Sequence, residues 1–391
     1  MMYDYDVVIV GGGPIGSTLA YKLTKEDLKV CIIDKKKEIG LPLQCAGIIS
    51  KKILTLNELP NEIILNEVKG AYLHSPHENL TVSKKDTEAY IIDRVAYDKY
   101  LLKRAVENGV KLINPCKVIG INTKEGIITS QEGQITSKII VGADGANSIV
   151  SKELGNDLKY FYGSQFLLKS ENNIENMEFV DLYANSNIFP GFIWAIPTYE
   201  NIYRLGLFSN HTCGEELNIL ENFVKNHPQY SKMEIIEKHF GKIPVYDKEK
   251  ILVKDRVLLI GDAASQVKPT TGGGLILGFE ICQLAKNIII ETLKKDDITL
   301  LKNYEKKCKK TYNTELNYQL KVQKTLNLLS DEDLDYFFIQ LKEKGAEELI
   351  STYGDMDKQS ILVKEFLKKG FIFSMFPSII TRSVGKIWGL K

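Results

Sequence analysis

The chain has 391 residues, enough at about 150 residues per domain for two domains and a helical appendage. It is 44% hydrophobic and 26% charged, and 51 Lys plus Arg against 50 Asp plus Glu leave a formal charge of +1. That balance argues against a nucleic-acid partner, and no apolar run reaches the 18 residues that a membrane span requires.

In chain order, residues 5–10 (YDVVIV) read as a buried parallel strand, followed at once by glycines 11, 12, 13 and 16. Residues 17–28 (STLAYKLTKEDL) read as a helix, and KVCIIDKK reads as the next strand, ending in Asp34. The opening MMYDYD is acidic where a secretory leader is basic, so no signal peptide is expected. Pro76 separates His74 from His77, which predicts a surface loop rather than a helical metal-ligand pair, and no metal is expected. A helix over 95–108 with a glycine stop precedes short strands near 117–122, 126–130 and 134–142. The last of these runs into GADGANS (142–148). Residues 155–245 are richer in aromatics and lack strand–helix alternation, so they are assigned to a substrate domain. A buried strand then leads into the tight turn Gly261-Asp262-Ala263-Ala264, the glycines at 272–274 open a helix, and from about 299 the pattern is helical and Lys/Glu-rich. The six cysteines are scattered without a CxxC, as expected of a reducing, cytoplasmic protein.

The first fifty residues carry the clearest chemistry. Gly11-x-Gly13-x-x-Gly16 lies between a strand and a helix, with Asp34 ending the following strand. Gly11 permits a tight turn, Gly13 lets backbone approach a pyrophosphate, and Gly16 lets helix and strand pack closely. Pro14 is grouped with these glycines as a cofactor-binding residue, and the helix N-terminus presents free N–H groups to phosphate. Asp34 is placed to accept hydrogen bonds from a ribose. The expected fold is α/β (α+β overall), a Rossmann-type domain from 1–70, 90–154 and 245–298. A substrate domain with an antiparallel sheet (71–89 and 155–244) is interleaved with it, and a C-terminal helical region covers 299–391.

Taken together, GxGxxG, the Asp144-Gly145 pair and the Gly261-Asp262 pair resemble the para-hydroxybenzoate-hydroxylase-like FAD superfamily. The resemblance implies one FAD bound along all three, with Asp262 reaching the ribityl chain, and Arg94 near the flavin. For Asp144 the alternative is a turn aspartate capping local N–H groups, and for Arg94 a surface residue at a helix start. In Lys268-Pro-Thr-Thr-Gly272-Gly273-Gly274, the glycines let backbone pass over a flat ring, and the helix behind them would stabilise negative charge on a reduced flavin.

Only one dinucleotide fingerprint is present, so the electron donor must visit: NAD(P)H or reduced ferredoxin. Pro190-Gly-Phe192-Ile-Trp194-Ala-Ile196-Pro197 resembles the YxWxFP-type motif of geranylgeranyl reductases and also the WxWxIP of flavin-dependent halogenases. By alternation Phe192, Trp194 and Ile196 would share a strand face and line an apolar substrate pocket, or else belong to an ordinary sheet core. The loop Gln44-Cys45-Ala46-Gly47 matches the place where geranylgeranyl reductases carry a cysteine facing the flavin, and an inert buried cysteine is the alternative. The resemblance to that family, archaeal ether-lipid reductases included, runs from residue 2 to about 300 and implies reduction of isolated C=C bonds in geranylgeranyl chains. An isolated alkene has no carbonyl to stabilise a carbanion. Protonation to a tertiary cation, stabilised by aromatic faces and quenched by hydride from flavin N5, is the route the chemistry favours, with Cys45 orienting the alkene or delivering the proton. The competing readings are a flavin monooxygenase or halogenase acting on an aromatic small molecule, and a non-catalytic prenyl carrier.

Residues 371–391 (FIFSMFPSIITRSVGKIWGLK) are apolar and basic, without acids. They suit an anionic lipid surface, hence peripheral contact with the inner face of the cell membrane, or else a helix docked on the core. The Lys-rich stretch 302–310 reads as a solvated helix face.

Overall fold

The structure, a computed structural model, describes residues 2–199, 201–369 and 378–389. The run Tyr5–Val10, apolar on both faces, lies in the middle of an eight-stranded sheet. It pairs in parallel with Val30–Ile33 on one side and with Gly133–Gly142 on the other. Val257–Leu259 extends the parallel set beyond Gly133–Gly142, and Lys111–Ile113 extends it beyond Val30–Ile33. Register decides where the motifs meet. Val10 lies opposite both Ile33 and Gly142, and Gly142 lies opposite Leu259. The residues that follow (Gly11, Asp34, Ala143 and Ile260) therefore emerge side by side at the carboxyl ends of adjacent strands, where open α/β sheets bind ligands.

The first helix spans Pro14–Thr24 rather than 17–28. Proline is tolerated at a first helical position, so the helix starts directly from the glycine turn. It ends before Asp27, which adopts left-handed backbone (φ 55). The helix Arg94–Glu107 is opened by Asp93, whose carboxylate accepts hydrogen bonds from the Val95 and Ala96 amides (both 3.0 Å). A small antiparallel sheet of Ile48–Ser50, Ala89–Ile92 and Ile64–Val68, which the sequence pattern did not reveal, packs beneath that helix through Ile49, Ile92 and Tyr97.

A seven-stranded sheet is formed by Gly70–His74, Asn79–Ser83 and five strands between Tyr160 and Pro244. Its pairing is antiparallel except between Phe179–Tyr183 and Gly70–His74. In the strand Ile193–Pro197, Ile193 and Ala195 point to a core with Leu205, Leu207 and the helix Cys213–Asn226. Trp194 and Ile196 point the other way, with Val180 and Leu182. His74 closes a strand instead of lying in a loop: it pairs with Asp181 (2.9 Å) and stacks on Tyr183, while exposed His77 on the following turn pairs with Asp335 (2.7 Å).

Glu216, on the helix 213–226, is fully buried beneath this sheet and accepts hydrogen bonds from Ser164 Oγ (3.2 Å) and Ser209 Oγ (3.3 Å). Burial pushes its carboxyl up to about 7, and the two serines only partly oppose this. An unfolded glutamate titrates near 4.3, so the folded chain holds the proton more tightly. The resulting stability is complete below pH about 4 and is lost as pH rises to about 7, a change on the order of 3 kcal/mol. Glu216→Gln, which keeps the neutral shape, is expected to match the parent melting temperature at pH 4 and to exceed it by several degrees at pH 8. Thermal unfolding monitored by circular dichroism at the two pH values checks this.

Of the C-terminal helices, Asp331–Glu343 and Ala346–Tyr353 pack along the edge strand Asn79–Ser83 of the second sheet. Lys302–Leu326 buries Tyr304 and Cys308 and turns Lys306 and Lys307 to solvent, so its lysines do form a solvated face. Of the apolar, basic tail, Ser378–Trp388 forms a helix that docks on it: Val384 is buried and Trp388 Nε1 donates to Thr325 Oγ1 (3.0 Å). Residues 370–377, 390 and 391 of the tail lie outside the described residues.

Candidate active site

A single cavity of about 1250 Å³ runs from the glycine turn at residue 11 to the C-terminal helices. At its first end each fingerprint glycine answers a contact. Gly11 holds φ +111, and a Cβ there would stand 2.2 Å from the Ala143 carbonyl oxygen. A Cβ on Gly16 would meet the Gly11 oxygen at 2.0 Å. Gly13 has ordinary backbone angles and nothing within 4 Å of a Cβ, which would project into the cavity. The amides that open the helix behind it have no side-chain cap and no acid in the first turn, as an anion site requires. Pro14 lines the same groove, and Asp34 borders it, its carboxylate fixed by the Gly12 and Lys36 amides (both 2.7 Å).

The two later motifs reach the groove differently. Asp144 and Gly145 both line it, and the Asp144 carboxylate is engaged by Ser148 Oγ (2.5 Å) and the Ile149 amide (2.7 Å), so its side chain also caps the helix Ile149–Glu153. Asp262 sits in the turn Gly261–Ala264, and its carboxylate borders the cavity without a hydrogen bond among the described residues. Burial pushes this carboxyl up, and the charge of Arg94 pulls it back. An acceptor so placed, facing a groove that Gly13 keeps clear, fits the hydroxyls of a dinucleotide's sugar or ribityl chain. Gly272, Gly273 and Gly274 line the cavity beside it, and a Cβ on Gly272 would press Ile243 at 2.9 Å. The helix Leu275–Lys295 begins there, again with no side-chain cap and no acid in its first turn.

Between the two ends lies the Cys45 loop. Arg94 is nearly buried and paired with Asp98 (3.1 Å) rather than lying on the surface. Burial alone would depress the guanidinium, but Asp98 and then Cys45 outweigh it, so its positive charge is secure. On the other side Arg204, 5% exposed, donates to the Ala46 oxygen (3.0 Å) and the Ile92 oxygen (2.9 Å). Gly47 makes room for it: with φ +78, a Cβ there would lie 1.9 Å from Arg204 Nη1. The Gly47 amide donates to the Cys45 sulfur (3.4 Å). Arg204 was not anticipated. Its signal was a cation inside the otherwise apolar strand Ile202–Ser209.

Beyond Cys45 the cavity is apolar. Phe192, Trp194 and Ile196 line it. The indole lies over Gly206, where a Cβ would approach to 2.5 Å, and its Nε1 donates to Gln165 Oε1 (3.1 Å). Gln165 Nε2 in turn donates to the Cys45 carbonyl (3.4 Å), which ties the aromatic wall to the cysteine loop. Phe337, Phe366 and Trp388 of the C-terminal helices line the far end.

Residues 4–316 match the FAD binding domain family. A digeranylgeranylglycerophospholipid reductase of Methanococcoides burtonii is 30% identical over 373 residues, 89% of this chain and 90% of that one. The chain belongs to the geranylgeranyl reductase family of FAD-binding proteins. FAD is its cofactor. An uncharacterized protein of Methanocaldococcus jannaschii is 35% identical over 384 residues, covering 93% and 95% of the two chains. A geranylgeranyl bacteriochlorophyll reductase-like protein of Thermoplasma acidophilum has the same fold, with a TM-score of 0.84 at 25% identity over 99% of this chain and 100% of that one.

Proposed function

We propose that this chain saturates isolated C=C bonds in the geranylgeranyl chains of an ether-lipid precursor. The observation that carries the reading is the continuity of the nucleotide groove with one long apolar cavity walled by Phe192, Trp194 and Ile196. A small aromatic substrate would need neither that length nor a cover of helices. Reduced FAD, when bound, supplies a hydride. The chain's own residues do the rest. The apolar wall binds the prenyl chain by burying it and excludes water from a cation formed on it. The faces of Phe192 and Trp194, with ring centroids 6.1 Å apart, stabilise that cation. Cys45 gives the proton, which solvent restores after hydride transfer.

The remaining assignments follow from the same arrangement. Gly11, Gly13, Pro14 and Asp34 hold the adenosine and pyrophosphate part of FAD, and Gly16 serves it from behind by packing against the Gly11 oxygen. Asp262 and the backbone at Gly145 and Gly272–Gly274 hold the ribityl and flavin part, and Cys45, Ala46, Gly47 and Arg94 flank the ring. No helix among the described residues is long and apolar enough to cross a membrane. The proposed contact with the lipid surface is peripheral, from the cytoplasmic side. The reductant is an external NAD(P)H or reduced ferredoxin.

Incubating the holoprotein anaerobically with dithionite and a geranylgeranylated glycerol lipid tests the reading. The expected product gains hydrogen pairs stepwise by mass spectrometry. A bleached flavin with an unchanged lipid mass would overturn it.

A further inference from the structure

Lys268 opens the loop that carries Gly272–Gly274, and its side chain passes beside Gly273 to reach the C-terminal region. Its Nζ donates to the Met356 carbonyl (2.7 Å) and to Asp357 Oδ1 (2.9 Å), with the two side chains only 13% and 8% exposed. Asp357 Oδ2 accepts from Ser50 Oγ (2.5 Å), and the Asp357 carbonyl accepts from Gln319 Nε2 (3.3 Å). Burial pushes the Asp357 carboxyl up, but Lys268 and the Ser50 hydroxyl outweigh it and hold it below the usual carboxylate range.

The backbone of Lys268 does the complementary job. Its carbonyl accepts from the Gly272 amide (2.8 Å) and its amide donates to the Gly273 oxygen (3.0 Å), so the position of Lys268 fixes the glycine loop. Its side chain also limits that loop, since Cε would lie 2.9 Å from a Cβ on Gly273. On the other side Met356 packs in the same apolar cluster as Trp194 and Ile196, and residues 354–357 line the cavity. One contiguous path thus runs from the apolar wall through Met356 and Asp357 to Lys268 and the three glycines. Asp357 lies outside the stretch 4–316 that matches the FAD-binding family.

We infer that Lys268 and Asp357 are a positioning pair, through which the segment covering the apolar cavity sets the glycine loop of the flavin site. The C-terminal region is then part of the cofactor site as well as a cover for the prenyl chain. A buried ion pair contributes little net stability over a well-packed apolar pair, so stability alone gives no reason for one here.

The test needs no lipid and therefore stands apart from the prenyl-reductase reading. FAD affinity, measured by flavin fluorescence, and the visible absorbance band are compared among the parent, Asp357→Asn, Lys268→Arg and the double variant Lys268→Met/Asp357→Leu. Asp357→Asn is expected to weaken FAD binding roughly 10-fold and to alter the band shape. Lys268→Arg, which keeps the charge, recovers most of the affinity. The double variant is expected to melt with the parent yet keep the flavin defect. If the single variant does not fold, the double variant decides. A folded double variant with the parent's FAD affinity and band shape would overturn the proposal and leave the pair as a fastener.

Discussion

Gly13→Val is expected to give a folded protein that no longer retains FAD. The backbone at Gly13 (φ −67, ψ −178) is open to any residue, and nothing stands within 4 Å of a Cβ, so the side chain meets no protein. Valine at an N-cap costs about 1 kcal/mol relative to glycine, which a chain of this size tolerates. The isopropyl group would instead occupy the groove in front of the free amides of the helix 14–24. Moving the pyrophosphate away forfeits charge-assisted hydrogen bonds of about 1.5–3 kcal/mol each, and losing two lowers affinity by roughly 100-fold or more. Absorbance of the purified protein, with the circular dichroism spectrum as the control for folding, checks this. A yellow, folded Gly13→Val would move the pyrophosphate elsewhere. Gly16→Ala is the informative contrast: its Cβ would meet the Gly11 oxygen at 2.0 Å, so the loss there falls on folding.

That contrast shows what the sequence made legible. The glycines, Asp34, the Gly142–Ser148 stretch and Gly261-Asp262 each follow an apolar strand, and parallel pairing in register brings such positions together at one sheet edge. Local pattern plus one topological rule is enough to gather them. The alternation at 192–196 works the same way, because a period of two puts Trp194 and Ile196 on one face in any sheet. Asp144 shows the limit. Its place in the motif is visible, but whether its oxygens meet a ligand or the amides of the next helix depends on a turn whose geometry composition does not determine. The residues that tie the site together lie further beyond reach. Gln165 joins residues 45 and 194, Arg204 joins residues 46 and 92, and Asp357 meets Lys268 and Ser50. None of these contacts follows a helical or strand period, so only the packed chain shows them.

Cys45→Ala is expected to slow bond reduction by about 10²–10³-fold while FAD stays bound, the range lost when a positioned proton donor is removed. The argument is geometric. Cys45 sits where the nucleotide groove gives way to the apolar cavity, and its loop is clamped from two sides. Arg204 holds the Ala46 carbonyl, and Gln165 holds the Cys45 carbonyl while also binding the Trp194 indole. Both clamps are made to backbone, so removing the thiol leaves them in place. The sulfur accepts from the Gly47 amide, a contact worth about 1 kcal/mol, and Arg94 keeps its Asp98 partner without the thiol, so the variant should fold and keep its flavin spectrum. What disappears is the thiol proton at the boundary between cofactor and prenyl chain. Single-turnover reduction of the lipid by the dithionite-reduced holoprotein separates this loss from any change in how the flavin is recharged. A parent rate in Cys45→Ala would remove the thiol from the reaction and transfer the proton to water reaching the cavity. A lost flavin spectrum would instead make Cys45 part of the cofactor site alone.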